Sequence, residues 1–278
     1  DINKKIHFLD VFDFLKNRYY GAFNNFSISY YHGYPNSLDK NLQNKFIKIV
    51  NSENFFNKLH VTHEKMKNFF LEAGINENKI IKLPICIDEK FFQKDISKLA
   101  LRKDYNIPQS AFVIGSFQKD GNGWGEGKDM KFIKGPDILI KTLEIISQKI
   151  ENLFVILSGP SRGYVIQSLN KLDIKYLHLK NLNYNEIINL YKTLDLYLIT
   201  SREEGGPRAF MESLASKTPF VATSVGMIKD YQKNLPFISK SFDPEELADL
   251  CMEVFFLSEN DLNTYKKEMF AISSKFFY

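Results

Sequence analysis

The chain has 278 residues, 44% of them hydrophobic and 25% charged. That composition excludes extensive disorder, and the length suits two domains of roughly 100–200 residues each. The 37 Lys and Arg against 33 Asp and Glu leave a formal charge of +4, too small an excess to point to nucleic acid.

No apolar run reaches the roughly 20 residues of a membrane span, and no signal peptide is visible. Cys86 and Cys251 make no disulfide framework, and no Cys or His spacing suggests zinc. A reduced, cytoplasmic protein is the expectation. The chain begins at Asp1 rather than Met, so its start is expected to be missing.

In chain order, short apolar runs alternate with helical patterns, the signature of parallel α/β sheets. Ile6 to Leu9 predicts a strand and Val11 to Tyr20 a helix. Ser27 to Tyr31 is a second strand, ending at His32-Gly33, and a long helix covers Leu38 to Lys58. A short strand at Leu59 to Thr62 leads to a helix ending at Gly74. The strand Lys79 to Leu83 then closes this section at Pro84. The pattern restarts after Phe92. Phe112 to Gly115 is a strand, followed by a Gly-rich loop from Lys119 to Lys134. Pro136 opens a helix to Lys149. Strands follow at Phe154 to Leu157, Tyr176 to Leu179, Leu196 to Thr200 and Phe220 to Thr223. The last segment, Asn260 to Tyr278, is a weakly amphipathic helix that either domain can receive. Three parts result: 1–92, 93–258 and 259–278.

Charge is uneven. From Asp39 to Lys103 there are thirteen Lys and Arg against eight Asp and Glu, an attraction for anionic lipid head groups or a lipid pyrophosphate if the run is not simply a set of solvated helix faces.

The loop Gly121 to Gly127 fits neither familiar phosphate motif. A dinucleotide fingerprint from Gly121 or Gly123 needs Gly where Glu126 or Lys128 stands. A Walker A loop needs Gly and Ser or Thr where Asn122 and Asp129 stand. The better anion signal is Lys134-Gly135-Pro136-Asp137, a cation and a glycine at a helix start. Lys119, at the end of the preceding strand, is expected to face the same crevice. Arg162 and Arg202 are phosphate candidates by charge only, and surface roles are expected for them.

The sharpest stretch is Ser201-Arg202-Glu203-Glu204-Gly205-Gly206-Pro207-Arg208-Ala209-Phe210-Met211-Glu212. It runs from a strand into a helix at Pro207. Gly205 and Gly206 let a ligand approach the backbone, and the helix start offers N–H groups to phosphate. A carboxylate there can accept hydrogen bonds from sugar hydroxyls.

This segment resembles the E-x7-E motif of retaining GT-B glycosyltransferases of family 4. The resemblance extends to Gly115, Lys134-Gly135, Gly159-Pro160 and the turn Ala222 to Gly226. Upstream it includes Lys82 to Asp88, where Cys86 stands in place of the family's Gly. Its order and spacing run from Leu59 to Gly226. The resemblance implies a GT-B fold, two doubly wound Rossmann-like domains facing a cleft, with the N-terminal one truncated.

It also implies roles. Lys119 and Lys134 would neutralise a donor diphosphate, Glu204 would contact the donor sugar and Glu212 the ribose hydroxyls. Gly205, Gly206, Pro207 and Arg208 would line the pocket, with Gly115 and Gly135 at its phosphate end. Asn181 and Leu182 would hold the base, and His32 would face the donor sugar. No cofactor or metal is implied. The partners are a nucleotide sugar and a saccharide or lipid-linked acceptor, with a peripheral membrane contact and no nucleic acid. The function implied is retaining sugar transfer in surface polysaccharide biosynthesis. A sugar-nucleotide epimerase of the same fold and a non-catalytic nucleotide-sugar or glycan-binding module are the competing readings. The first 92 residues hold only four candidate strands, so an exposed edge is expected beside Ile6 to Leu9.

Overall fold

Alternation in Asn25–Tyr30 shows how the first sheet is built. Phe26, Ile28 and Tyr30 are buried in the core while Ser27 and Ser29 alternate with them toward the other face. The computed structural model describes residues 3–88 and 96–276. The chain folds as two units. The first comprises Asp1–Ile85, Glu203–Pro207 and Val225–Tyr231; the second Cys86–Arg202, Arg208–Ser224 and Gln232–Tyr278. The expected boundary at residue 92 lies outside the described residues.

In the first unit, β1 (Lys5–Phe8), β2 (Asn25–Tyr30), β3 (Lys58–Val61) and β4 (Ile80–Lys82) form a parallel sheet in that order. β1 is an edge strand, and most of it is exposed. Helices α1 (Val11–Asn17), α2 (Lys40–Val50) and α3 (Glu64–Glu72) follow β1, β2 and β3. Asp10 and Asp39 cap the first two by accepting from backbone N–H groups. Phe14, Phe26, Phe46, Phe56 and Phe70 build the core with Ile28, Leu59 and Met66. Several of these rings meet edge to face.

The opposite face carries a polar chain. His60 Nε2 lies 2.8 Å from the Leu83 carbonyl, which only accepts, so it carries the proton. Ser29 Oγ, 2.9 Å from His60 Nδ1, then donates to it. His7 Nε2 donates to Ser29 Oγ at 2.9 Å, and its Nδ1 accepts from Ser27 Oγ at 2.8 Å.

Two helices are shorter than the periodicity predicts. The segment from Leu38 to Lys58 leaves the helix at Val50, because Ser52 turns back onto the Lys48 carbonyl and a 3₁₀ turn, Glu53–Phe55, follows. Phe56 still reaches the core from there, so the apolar spacing outlives the helix. α1 likewise stops at Asn17 and continues as a 3₁₀ turn, Arg18–Ala22.

Among the described residues the second unit has six parallel strands: β5 (Phe112–Phe117), β6 (Leu153–Ser158), β7 (Lys175–Leu179), β8 (Leu196–Ile199), β9 (Phe220–Thr223) and β10 (Ile238–Ser239). Their order is β10-β9-β8-β5-β6-β7. The two-residue β10 carries too little pattern to be read in advance. Its helices are α4 (Lys98–Asp104), α5 (Pro136–Ser147), α6 (Gly163–Lys171), α7 (Tyr184–Thr193), α8 (Arg208–Ser216), α9 (Pro244–Phe256) and α10 (Glu259–Ser273). The strand order reverses between β5 and β8, the position at which open α/β sheets bind ligands beyond their carboxyl ends. The terminal segment is no separate part: α10 packs on α8, with Tyr265 and Met269 buried and the Tyr265 hydroxyl 3.4 Å from the Phe220 carbonyl. Residues 277–278 of the predicted helix lie outside the described residues.

Candidate functional site

The chain leaves β5 at Phe117 and β8 at Ile199, so the two loops at the strand-order reversal are Gln118–Gly135 and Thr200–Pro207. In the first, Lys119 places its ammonium 3.7 Å from the centre of the exposed Trp124 ring. Gln118 donates to the Lys134 carbonyl at 3.4 Å, which sets the Lys119 and Lys134 segments side by side. Gly115, expected at the phosphate end, is instead a packing residue. It lies inside β5, paired to Ile156 and Tyr197, and a Cβ there would sit 2.3 Å from Leu194.

The Gly-rich loop has a structural explanation. Gly163 N–H donates to the Glu126 carbonyl at 2.7 Å and Tyr164 N–H to Gly127 at 2.9 Å. The start of α6 is thus capped by this loop's own carbonyls rather than offered to an anion. A Cβ on Gly127 would lie 2.3 Å from the Ser161 carbonyl oxygen, so close backbone contact accounts for its glycine. Arg162 is corrected too. It is fully buried rather than at the surface, ion-paired to Asp120 at 2.9 Å and donating to the Ser116, Gln118 and Ser158 carbonyls. It ties the ends of β5 and β6 together.

Lys134 is half-buried, immediately before Gly135. Gly135 is left-handed at φ 61°, and a Cβ would be 1.9 Å from the Thr200 carbonyl oxygen. The Thr200 hydroxyl donates back to the Gly135 carbonyl at 2.9 Å. The end of β8 and the start of α5 are therefore fastened to each other. Arg202 is no simple surface charge. It forks onto both oxygens of Asp137 at 2.7 and 2.6 Å, and lies 4.0 Å over the Phe132 ring. Burial raises Asp137, but the hydrogen bond and charge of Arg202, together with the backbone N–H groups of Asp137 and Ile138, outweigh it and hold the carboxyl below its usual range.

The segment Glu203–Pro207 is held within the first unit. The Ser37 hydroxyl donates to Glu203 Oε1 at 2.6 Å and Leu38 N–H to Oε2 at 3.0 Å. The Tyr34 hydroxyl donates to the Glu204 carbonyl at 2.5 Å. Behind Tyr34 stands buried His63. Its Nδ1 accepts from Met66 N–H at 3.4 Å, so its Nε2–H faces the Tyr34 oxygen at 3.1 Å. Burial, reinforced by Lys65 and Lys82, lowers His63 to about 4, so it is neutral near pH 7. Gly205 touches the Tyr31 carbonyl so closely that a Cβ would fall 1.3 Å from its oxygen. This brings the exposed His32, next along from Tyr31, to the neighbourhood of Glu204. Gly206 and Pro207 are buried in the same unit.

Arg208 and Glu212 belong to α8 in the second unit. Glu212 is buried, with Oε1 3.1 Å from Arg208 Nε and Oε2 accepting from the Tyr191 hydroxyl at 3.0 Å. Burial raises its carboxyl, opposed by Arg208 and Tyr191. Each oxygen keeps a further lone pair. Arg208 also lies 5.0 Å over the Tyr184 ring, so the loop of Asn181 and Leu182 adjoins α8. Asn181 is left-handed at φ 55°, and Asn183 and Glu186 form a reciprocal capping box on α7. Lys119, Lys134, Gly135, Asn181, Leu182, Arg208 and Glu212 thus belong to one unit, and His32, Glu204, Gly205, Gly206 and Pro207 to the other. Sequence reasoning missed Tyr34 and His63, which hold the Glu204 main chain in the first unit, and Tyr191, which holds Glu212 in the second, all through contacts distant in sequence. Asp137 had a readable signal, an acid in a first helical turn. Among the described residues, no group of three His, Cys, Asp or Glu is arranged to hold a metal ion.

Residues 129–268, half of the chain, match the family described as Glycosyl transferases group 1. No curated protein matches the sequence. Among solved structures, Anabaena Alr3699/HepE in complex with UDP and glucose is similar at TM-score 0.80 and 19% identity, over 98% of this chain and 73% of that one. A glycosyltransferase from Rickettsia africae ESF-5 gives 0.75 at 19% identity, over 99% and 72%. Sucrose-phosphate synthase from Thermosynechococcus elongatus gives 0.73 at 13%, over 98% and 69%.

Proposed function

The chain belongs to the group 1 glycosyl transferases and has an α/β fold of the GT-B class, and on that premise we propose that it is a retaining, metal-independent hexosyltransferase of the E-x7-E type. It transfers a sugar from a nucleotide diphosphate donor to a saccharide or lipid-linked acceptor, in surface polysaccharide assembly in the cytoplasm. The ligands named with the structural neighbour, UDP with glucose and UDP-glucose, support a uridine nucleotide as the first candidate.

The observation that carries this reading is the placing of Glu204, a buried acid at the turn between β8 and α8 whose carbonyl is fixed by the Tyr34 hydroxyl. An acid held there by its backbone, next to Gly205 and Gly206, suits a donor-sugar contact.

In the proposed reaction, the bond between the sugar and the diphosphate loosens first, leaving an oxocarbenium-like sugar. The acceptor hydroxyl attacks from the face the phosphate leaves, and its proton passes to a departing phosphate oxygen. Lys134, Lys119 and helix-start amides stabilise the charge that develops on the diphosphate. Glu204 orients the sugar, with His32 facing it, while Glu212 accepts from the ribose hydroxyls and Asn181 and Leu182 hold the base. Lys134→Ala is expected to slow nucleoside diphosphate release on the order of 100- to 1000-fold. NMR of the product is expected to show the donor's anomeric configuration. An inverted product, or release by the variant at the parent rate, would overturn this mechanism.

A further inference from the structure

The strands of the second sheet are parallel, so the segments entering β5, β6, β8 and β9 gather at the end opposite Lys119 and Lys134. The two ends are a strand's length apart, roughly 13–20 Å. A cavity of about 760 Å³ lies at the entering end, with Ala111, Asn152, Asp195 and Pro219 in its wall one residue ahead of those strands. The wall is completed from α4, α10 and the ends of α7, α8 and α9. It therefore belongs to the second unit alone, and every wall residue falls between Lys98 and Lys266.

The charge of this wall is unbalanced: six Lys and Arg side chains line it against two acids, Glu151 and Asp195. Asp195 is already shared. Its Oδ1 accepts from Lys98 Nζ at 2.5 Å, and its Oδ2 from Arg102 at 2.6 Å and from Val113 N–H at 2.7 Å. Arg102 is buried and also donates to the Thr193, Gln109 and Ala111 carbonyls, so it fastens α4 to the sheet. Lys266, half-buried on α10, adds a third cation. Burial and the charge of Lys98 lower its ammonium, against the pull of Asp195 and Glu259. Around Asp195, then, one carboxylate faces three cations, and an anion between Lys98 and Lys266 would restore the balance.

Another stretch of the wall is apolar, made by Val254, Phe255, Leu257 and Leu262. Phe255 keeps 40% of its surface exposed, and its ring meets Phe112 edge to face at 5.0 Å. Ser110 and Asn152 add groups able to hydrogen-bond hydroxyls. A cavity of this size, with an apolar face and a few convergent polar groups, has the make-up of a small-molecule site. A sugar ring matches it, having a C–H face and a hydroxyl edge.

We propose that this cavity is a second ligand site, for a sugar phosphate whose phosphate lies between Lys98 and Lys266 and whose ring rests against Phe255. It goes beyond the donor reading and uses none of the residues assigned to the donor, so either can fail alone.

The test is titration calorimetry of the full chain with glucose 6-phosphate and ribose 5-phosphate, against inorganic phosphate and glucose. At least one ester is expected to bind at a single site, more tightly than inorganic phosphate, and glucose is expected not to bind. Lys266→Ala should weaken the ester about tenfold or more, through the lost charge-assisted contact. Lys266→Arg should keep most of the affinity, and Phe255→Ala should bring the ester down toward inorganic phosphate. Lys134→Ala should leave the binding unchanged. Melting curves without ligand check that each variant folds. No heat from either ester, inorganic phosphate binding as tightly as the esters, or a Lys266→Ala variant that binds like the parent would each overturn the proposal. So would loss of binding in Lys134→Ala, which would move the ester to the other end of the sheet.

Discussion

At Glu203 one carboxylate oxygen accepts from the Ser37 hydroxyl and the other from Leu38 N–H, so this side chain is committed to holding the turn. Glu204, its neighbour, is buried and fixed through its main chain. Glu203→Gln keeps one acceptor oxygen and loses the charge, and is expected to cost about 1–2 kcal/mol in urea unfolding. Glu204→Gln is expected to lower sugar transfer on the order of 100-fold or more. Transfer by that variant at the parent rate would remove Glu204 from the donor-sugar role. The sequence Glu-Glu-Gly-Gly-Pro marks the turn clearly, yet nothing in it says which acid is the fastener. That distinction depends on Ser37, more than 160 residues upstream.

At the scale of elements, β8, α8 and the turn between them hold their form through partners on other elements. Tyr34 reaches the Glu204 carbonyl and leans on neutral His63 at the start of α3. Protonating His63 would give a buried cation beside Lys65 and Lys82. The unfolded chain binds that proton near pH 6.5 and the folded chain only near 4. Between those values the unfolded state holds more protons, so stability is full above about pH 6.5 and is lost as pH falls toward 4. The loss from this group should be about 3 kcal/mol. His63→Gln is expected to flatten the stability profile across that window; a profile of unchanged slope would contradict the arrangement.

The elements themselves were legible wherever period and punctuation agreed. Pro136 opens α5, Phe26 to Tyr30 alternates, and Phe220 to Thr223 is a fully buried strand. Legibility failed where apolar spacing continued past a helix end, as at Phe55 and Phe56, and where a strand had two residues, as at Ile238–Ser239. It failed differently in the Gly-rich loop. There the glycines invite a phosphate reading, but they serve a close approach to Ser161 and the start of α6. Arg162 shows the same limit, since its charge is plain in sequence and its burial is not.

At the scale of the molecule, the second unit presents a complete crossover of strand order, with Lys119, Lys134 and the fastened Thr200–Gly135 junction at its carboxyl side. The group 1 glycosyl transferase match runs from 129 to 268 and so includes Lys134, Asn181, Glu204 and Glu212. Donor recognition is the central claim, and it is testable before any acceptor is known. Titration calorimetry of UDP-glucose, with GDP- and ADP-sugars as alternatives, measures it most directly. One donor is expected to bind with a single-site isotherm, and Lys134→Ala is expected to weaken it at least about tenfold through the lost charge-assisted contact. No binding by any nucleotide sugar, or equal affinity in the Lys134→Ala variant, would contradict the account.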